Sequence, residues 1–384
     1  MHFRSSCLAV LLALTVASAA QEPSAAQDQA AALRTAFARV QHLKRGINAS
    51  IWFAQSPGDY SAARTNRFTD AADIALIARL GFDNVRISVD APPLEEQPVG
   101  ADGLNADFVG RLDKAVDTML ADGLAVVIDL HPESSYKDRM INSDDAVDRL
   151  ESLWRRLAAH YASRDPERVF LEILNEPGLS DRYRWAGIQA RLAAAIREAA
   201  PRQTIIAAGA NGSSIQDLLA LHPLNDGNVI YNFHFYDPTQ FTHQGASWGP
   251  ASWTSTHGIP YPPSESGMEE LLKLVPDPAD RYELEQYWLD HWDAHHIRLL
   301  MDEAAAWGRT NLVPLICNEF GVFRDHSEPV SRANWIRDVR TALEADGIGW
   351  AMWDYRDNFG LVYKEDGQPA RVDEGVLGAL GLKR

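Results

Sequence analysis

Cysteine is scarce in this chain of 384 residues, which contains only Cys7 and Cys317. Cys7 lies in a segment with the features of a secretory signal peptide, in which Arg4 precedes an apolar stretch and Ala17-Ser18-Ala19 fits a small-residue cleavage site. Removal of residues 1–20 would leave Cys317 without a partner, so we expect no intramolecular disulfide. The stability of the fold must then come from a large core.

Positive charge and long apolar runs are also in short supply. The chain has 36 lysine and arginine residues against 53 aspartate and glutamate residues, which gives a formal net charge of -17. Because like charges repel, nucleic acid and anionic membrane surfaces are not expected partners. No stretch after the predicted signal peptide is long and apolar enough to cross a bilayer. We therefore expect an exported monomer, secreted or periplasmic, that acts on an uncharged polysaccharide or oligosaccharide.

The sequence lacks the common motifs of metal and nucleotide sites. No HExxH motif occurs, and no His-x-His follows the first predicted strand, so we expect no catalytic metal. No glycine-rich phosphate loop follows that strand either, and we expect no cofactor. These absences favour chemistry that side chains carry out alone.

Eight runs of β-forming residues recur along the chain, and stretches of helical periodicity separate them. The runs cover residues 45–52, 84–90, 124–130, 169–175, 203–209, 228–236, 312–318 and 348–355. Near-continuous hydrophobic strands that alternate with helices are typical of a parallel barrel buried on both faces. We predict a single α/β domain, a (β/α)8 TIM barrel over residues 41–384, after a frayed or helical lead-in over residues 21–40 that lies outside the core. An open doubly wound sheet is the structural alternative.

The segment from Asp237 to about Arg281 departs from this alternation. It is rich in aromatic residues, proline, serine and glycine, and it has little periodicity. A connection of this length is either disordered or functional, and its aromatic content favours order. Because it leaves the sixth strand at the end where barrels carry their chemistry, we predict that it forms part of a substrate cleft wall. Beyond it, one long helix is expected from Glu283 to Trp307.

Two glutamates, Glu176 in VFLEILNEP and Glu319 in LVPLICNEF, each follow an apolar run of strand length. The carboxyl ends of barrel strands meet at one face, where barrel enzymes place their catalytic groups. Glycoside hydrolysis requires two carboxyl groups that face each other across one bond. Either glutamate alone is as readily a solvated surface residue, but their shared strand context favours a catalytic pair.

Six segments in order resemble glycoside hydrolase family 5, the cellulase family of the retaining clan A (β/α)8 glycosidases. They are NVRISVD, VIDLHPE, LEILNEP, NFHFY, CNEFG and WAMWDY, and the resemblance extends from Arg45 to about Tyr363. It implies that Glu176 is the general acid/base and Glu319 the nucleophile, with their carboxyl groups about 5 Å apart. The acid should then have a raised pKa, whereas the nucleophile should stay ionised.

Further residues at the strand ends would support the two glutamates or bind substrate: Arg86, His131, Asn175, His234, Tyr236 and Trp353. Arg86 and Tyr236 are suited to bond the Glu319 carboxylate. The resemblance implies that the Asn175 amide donates to the sugar 2-hydroxyl and that Trp353 is a stacking floor for the sugar. His131 and His234 suit sugar hydroxyls or the orientation of the glutamates, although a lone histidine is more often structural.

A last group of residues near strand-following loops could line more distant sugar subsites or simply pack: Asn48, Trp52, Phe53, His243, Gln244, Trp248, Trp253, Asp357 and Asn358. Of these we select Trp52 and Trp248 as substrate-binding candidates. Asp129 shares a strand face with His131 and would support the site from below. Cys317 is expected to be a buried small residue and not a nucleophile.

Our preferred interpretation is an exported, retaining endo-β-glycanase, specifically an endo-β-1,4-glucanase acting on cellulose-like or mixed-linkage glucan. The family also contains β-mannanases, xyloglucanases, β-1,3-glucanases and exo-acting β-glucosidases, and these alternatives stay open. The long segment after the sixth strand could close one end of the cleft, which puts the endo mode in question. A non-catalytic polysaccharide-binding barrel is the alternative of another class, and the intact glutamate pair argues against it.

Overall fold

The structure, a computed structural model, describes residues 25–56 and 58–384, and the predicted signal peptide lies outside these residues. Eight parallel strands form a closed barrel in the order of the sequence, with the last strand paired to the first. They are β1 (Arg45–Phe53), β2 (Asn84–Val89), β3 (Ala125–Leu130), β4 (Val169–Glu172), β5 (Thr204–Ala208), β6 (Val229–Phe235), β7 (Leu315–Phe320) and β8 (Gly349–Met352). The predicted (β/α)8 barrel is therefore confirmed, and the open sheet is excluded.

Helices connect the barrel strands, and a short antiparallel hairpin follows the last of them. The hairpin strands are β9 (Val362–Tyr363) and β10 (Arg371–Val372). The helices are α1 (Ala25–Arg39), α2 (Ala62–Phe68), α3 (Ala71–Arg79), α4 (Ala91–Glu95), α5 (Ala106–Ala121), α6 (Ser134–Asn142), α7 (Asp144–Tyr161), α8 (Arg182–Ala199), α9 (Ile215–Leu219), α10 (Thr239–Thr242), α11 (Ala251–Ser255), α12 (Glu265–Leu274), α13 (Pro278–Leu289), α14 (Ala294–Asn311), α15 (Pro329–Ala345) and α16 (Glu374–Ala379). None of these helices is both long and apolar enough to cross a membrane.

Each predicted strand run overlaps a barrel strand, but two ends differ in a way that affects the site. The seventh strand begins at Leu315 and continues to Phe320, so Glu319 lies within the strand and not after it. The fourth strand ends at Glu172, so Glu176 lies four residues beyond it in a loop. At the barrel mouth, Glu319 is therefore held by a strand and Glu176 by a loop.

The single long helix expected from Glu283 to Trp307 is wrong. It is divided into α13 and α14, because the Asp293 side chain accepts hydrogen bonds from the backbone amides of His295 and His296 at 2.8 and 2.9 Å and so begins a new helix. The preceding segment, expected to have little regular structure, contains α10, α11 and α12. The prediction that this segment is ordered is correct.

The barrel interior is apolar at its lower end and polar at its upper end. Side chains that alternate along the strands form a separate buried cluster at the lower end: Ala125, Val127, Phe170, Ile206, Ile230 and Ile316. Val40 and Leu43 from the chain before β1 join this cluster and close that end. Two residues further along β3 and β4, the same faces carry the buried carboxylates Asp129 and Glu172. The strand period thus places apolar packing under a polar layer.

The lead-in packs more closely on the barrel than the sequence indicates. Ala36 is fully buried, and the Arg39 side chain donates to a Glu167 carboxylate oxygen at 2.8 Å and to the Arg202 carbonyl at 2.6 Å. A short 3₁₀ turn (Val40–His42) then leads into the first strand. The described part of the lead-in is therefore a helix, α1, that is bound to the lower end of the barrel.

The close approach of β8 to the chain before β1 gives a test of barrel closure. A Cβ atom at Gly349 would lie 2.0 Å from the Leu43 carbonyl oxygen, so Gly349→Ala must push backbone apart. We expect a loss of about 1–3 kcal/mol in the free energy of unfolding. Denaturant unfolding followed by circular dichroism measures it.

Gly187→Ala is the matched control, because that glycine lies exposed in α8 and its Cβ would meet nothing within 4 Å. This change should stabilise the protein by about 0.5–1 kcal/mol through helix propensity. Equal unfolding midpoints for the two variants would contradict the proposed close contact at Gly349.

Candidate active site

Arg86 lies at the centre of the polar layer at the upper end of the barrel. Its side chain is fully buried on β2. Its guanidinium donates twice to Glu172 at 2.8 Å, once to Glu319 at 2.6 Å and once to the Asn175 side-chain oxygen at 2.9 Å. It also lies 2.9 Å from Asp129. Burial opposes the charge on Arg86, but the surrounding carboxylates outweigh burial and raise its pKa.

Glu172 is a functional candidate that the sequence interpretation missed. Its carboxylate accepts four hydrogen bonds, two from Arg86, one from Asn318 at 2.7 Å and one from Asn232 at 3.1 Å. Burial nevertheless raises its pKa. A glutamate inside the apolar run VFLEIL is the signal that could have found it, because a buried carboxylate needs a partner. Glu172 holds Arg86 in place from the opposite side to Glu319.

Both oxygens of the Glu319 carboxylate are bound. Arg86 donates to Oε1 at 2.6 Å, and the Tyr236 hydroxyl donates to Oε2 at 3.0 Å. The side chain is only 5% exposed. A cation and a hydroxyl donor thus fix the orientation of a largely enclosed carboxylate.

Glu176 has a different environment. Its side chain is 37% exposed toward the barrel mouth, and one of its oxygens lies 2.9 Å from Nδ1 of His234. The same Nδ1 is 3.5 Å from Glu319. The backbone φ of Glu176 is 36°. Residues other than glycine rarely adopt this conformation, and it is often found at functional sites.

Glu176 and His234 shift each other's pKa in opposite directions. Burial by itself would raise the pKa of Glu176, but the hydrogen bond and charge of His234 outweigh it and lower the pKa to about 2. Burial likewise disfavours a charged His234, yet Glu319 and Glu176 raise its pKa. The expectation of a raised pKa for Glu176 is therefore wrong, because its hydrogen bond to His234 lowers the pKa.

His131, Asn175 and Trp353 form the adjoining part of the site. Nδ1 of His131 lies 2.8 Å from Asp129, and its Nε2 lies 3.0 Å from the Asn175 amide nitrogen. Burial lowers the pKa of His131 to about 3, so its ring is neutral and accepts from that amide. The Trp353 ring stacks on His131 with centroids 5.7 Å apart. Asp129 does lie beneath His131, where burial raises the aspartate pKa to about 6.

The side chains selected for more distant subsites divide into two groups. Trp52 is only 4% exposed and donates its indole N–H to the Thr65 carbonyl at 2.8 Å, so it offers no ring face to a sugar. Trp248 is 55% exposed. Its ring packs on Phe323 and Phe359, with centroids 5.2 and 6.2 Å away. Only Trp248 of this pair is accessible for stacking.

Three other candidates, Asn48, His243 and Trp253, contact the site or pack beside it. The Asn48 oxygen accepts from Arg86 at 3.0 Å, which places Asn48 in the polar layer. His243 stacks on Trp253 at 4.2 Å and contacts the Tyr236 ring at 5.2 Å, so the segment after β6 rests against a residue that binds Glu319. Cys317 is buried under Glu319, and burial raises the pKa of its thiol.

The distance between the two glutamates limits what the site can do. Carboxylate oxygens of Glu176 and Glu319 and a ring nitrogen of His234 all lie within 4.8 Å of one another. Such a trio could hold a metal ion, but both Glu319 oxygens and His234 Nδ1 already take part in hydrogen bonds, and the Arg86 cation lies beside Glu319. An enclosed carboxylate bound by a cation, which faces a more accessible carboxyl group hydrogen-bonded to a histidine, suits acid-assisted displacement.

Comparison with known proteins identifies the family. A family model described as Cellulase (glycosyl hydrolase family 5) matches residues 46–359. Endoglucanase C of Acetivibrio thermocellus is 30% identical over 348 residues, which cover 89% of this chain and 98% of that protein. Cellodextrinase A of Ruminococcus flavefaciens is 32% identical over 257 residues, 62% of this chain and 72% of that protein.

A solved structure of Thermotoga maritima Cel5A in complex with cellobiose has the same fold, with a TM-score of 0.70 at 25% identity over 90% of this chain and 99% of that chain. The resemblance seen in the six sequence segments is thus confirmed over the whole barrel. This chain belongs to the cellulases of glycosyl hydrolase family 5 and is a glycoside hydrolase.

Proposed function

We propose that the protein is an exported, retaining endo-β-1,4-glucanase. The observation that supports the retaining mechanism is the separation of the two carboxylates. One oxygen of Glu176 lies within 4.8 Å of one oxygen of Glu319. Retaining enzymes have carboxyl groups about 5–5.5 Å apart, whereas inverting enzymes leave about 6.5–9.5 Å for a water molecule. The short separation favours direct attack by one carboxylate on the sugar.

In the first step Glu319 attacks the anomeric carbon, and the glycosidic bond breaks. The Arg86 and Tyr236 hydrogen bonds hold the nucleophile in one orientation. Glu176 gives a proton to the departing oxygen, and the ring nitrogen of His234, 2.9 Å away, supplies that proton to Glu176. The result is a glycosyl ester on Glu319 and a shortened glucan.

In the second step water attacks the ester, and Glu176 accepts a proton from it. Formation of the ester removes the negative charge of Glu319, which lies 3.5 Å from His234 and raises its pKa. The pair of Glu176 and His234 therefore binds its proton less tightly in the intermediate. This weaker proton binding lets Glu176 act first as acid and then as base.

The substrate assignment rests on relatives and on the aromatic rings of the cleft. The match to this chain covers 98% of Endoglucanase C, and the related Cel5A structure is a complex with cellobiose. Trp353 and the exposed ring of Trp248 offer flat apolar faces of the kind that sugar rings pack on. Uncharged β-glucan also fits a protein with a net charge of -17. Export is supported by the signal-peptide features of residues 1–20.

The substrate is tested with carboxymethyl cellulose, barley β-glucan, mannan and xyloglucan, with Glu319→Ala protein as the control. We expect reducing ends from the first two substrates. We also expect the viscosity of carboxymethyl cellulose to fall early, because an endo-acting enzyme cuts long chains internally. Release of reducing ends without a fall in viscosity would instead favour action on chain ends or short cellodextrins, as the similarity to Cellodextrinase A allows.

The roles of the glutamates are tested by chemical rescue. Without its nucleophile, Glu319→Ala should lose at least about 10⁴-fold in kcat, and azide should restore turnover by forming an inverted glycosyl azide. Glu176→Ala should react with azide after the ester has formed and give the retained azide. Nuclear magnetic resonance of the products distinguishes the two anomers, and the opposite assignment would reverse the roles.

The proposal that His234 supplies a proton to Glu176 is tested through pH dependence. Above the raised pKa of His234 the pair loses its proton, so kcat/KM for cellulosic substrates should fall on the alkaline side. His234→Asn removes the more basic member, and the alkaline limb should move down by about one unit or more, because glutamate is intrinsically more acidic than histidine. His131→Asn is the control, since that ring is already neutral and its loss should leave the limb in place.

A further inference from the structure

The loop after β5 contains two residues in the left-handed backbone conformation. The backbone φ is 54° at Asn211 and 56° at Ser213. In this conformation the Cβ atom crowds the backbone, so residues other than glycine rarely adopt it, and asparagine tolerates it better than most. Such backbone persists only where surrounding contacts hold it, and it is often found at functional sites. Both residues make hydrogen bonds to segments that carry the catalytic machinery.

The carbonyls of these two residues contact the two sides of the pair of Glu176 and His234. The Ser213 carbonyl accepts a hydrogen bond from the His234 backbone amide at 2.8 Å. The Asn211 carbonyl accepts one from the Gly178 amide at 2.9 Å. Gly178 lies two residues after Glu176, in the loop that follows β4. A loop of three residues, 211–213, therefore bonds both the backbone of the histidine and the loop of the glutamate.

Strand pairing with β5 ends before it reaches His234. The last paired residues of β5 and β6 are Ala208 and Asn232. On the other side, the register between β6 and β7 shifts between Phe233 and His234. Within the described part of the chain, Nε2 of the His234 ring has no hydrogen-bond partner. On the β5 side, the Ser213 carbonyl is therefore the acceptor that fixes the His234 backbone.

The two ends of this loop are fixed against helix α9. A Cβ atom at Gly209 would lie 2.5 Å from the Asp217 carbonyl carbon, so the start of the loop is in close contact with the helix. At the other end the Ser214 amide donates to the Asp217 carboxylate at 3.0 Å, and the Asp217 amide donates to the Ser214 hydroxyl at 3.2 Å. This capping box begins α9. Because both ends are held, residues 211–213 present their carbonyls in one direction.

We propose that Asn211 and Ser213 are positioning residues, whose left-handed backbone holds Glu176 and His234 at hydrogen-bond distance from each other. This inference rests on the proposed proton supply from His234 to Glu176. The Glu176 oxygen and Nδ1 of His234 are 2.9 Å apart, and proton transfer requires a separation of about 2.6–3.2 Å. A change in the loop would move the backbone on both sides of this contact and so weaken the transfer.

The experiment changes the backbone of the loop at Asn211, because that side chain is exposed and its loss removes no core packing. Asn211→Pro fixes φ near about −65°, so the loop cannot keep its conformation. We expect kcat on barley β-glucan to fall by about tenfold, with little change in KM. The alkaline limb of kcat/KM should also move down, in the same direction as in His234→Asn and by up to about one unit.

Glycine substitutions are the matched controls, because glycine adopts positive φ without crowding. Asn211→Gly should keep kcat within about twofold of the wild type and leave the alkaline limb in place. Ser213→Gly should do the same, since the buried Ser213 hydroxyl has no hydrogen-bond partner among the described residues. Thermal unfolding confirms that each variant is folded. If Asn211→Pro does not fold, Asn211→Val, whose branched side chain disfavours this conformation, carries the same expectation.

Three results would overturn the inference. Unchanged kcat and an unmoved limb in Asn211→Pro would show that the loop does not position the pair. An equal loss at every pH would show a structural role alone. A loss in the glycine variants as large as that in Asn211→Pro would show that the side chains act, and not the backbone. Failure of the proposed function looks different, because His234→Asn would then leave the limb unmoved.

Discussion

The site depends on one buried cation, the guanidinium of Arg86. It uses its planar array of donors to contact carboxylates on three other strands, Asp129, Glu172 and Glu319. Loss of one partner from a buried ion pair typically costs about 3–5 kcal/mol, because the remaining charge is left without compensation. These buried carboxylates therefore have a compensating charge because the closed strands place all three of them around Arg86 in one register.

The same arrangement explains why two glutamates in one cleft behave differently. Glu319 is bound by a cation that never loses its proton, whereas Glu176 is bound by His234, which can lose one. The first carboxylate has a permanently charged partner, and the second has a titratable one. In the proposed mechanism, His234 supplies the proton that Glu176 passes to the leaving oxygen.

The barrel and the two glutamates were predictable because they depend on local pattern. Apolar runs define the strands, and their carboxyl ends meet at one face. Glu172 was not predicted, because its role requires the register between β2 and β4, which no single segment contains. The division of the helix at Asp293 was missed because the helical pattern on its two sides outweighed one capping side chain. The pairing of Glu176 with His234 was also not predicted, because it depends on distances that only the folded chain defines.

Packed aromatic rings connect the segment after β6 to Glu319. Tyr236 donates its hydroxyl to Glu319, and its ring packs on His243 and on Phe359, at 5.2 and 5.9 Å. Phe359 in turn contacts the exposed ring of Trp248. In the proposed function, a sugar stacked on Trp248 is connected through these packed rings to the hydroxyl that binds Glu319. Since packed aromatic rings leave little free volume, the same contacts would then set both the proposed substrate position and the orientation of the Glu319 carboxylate.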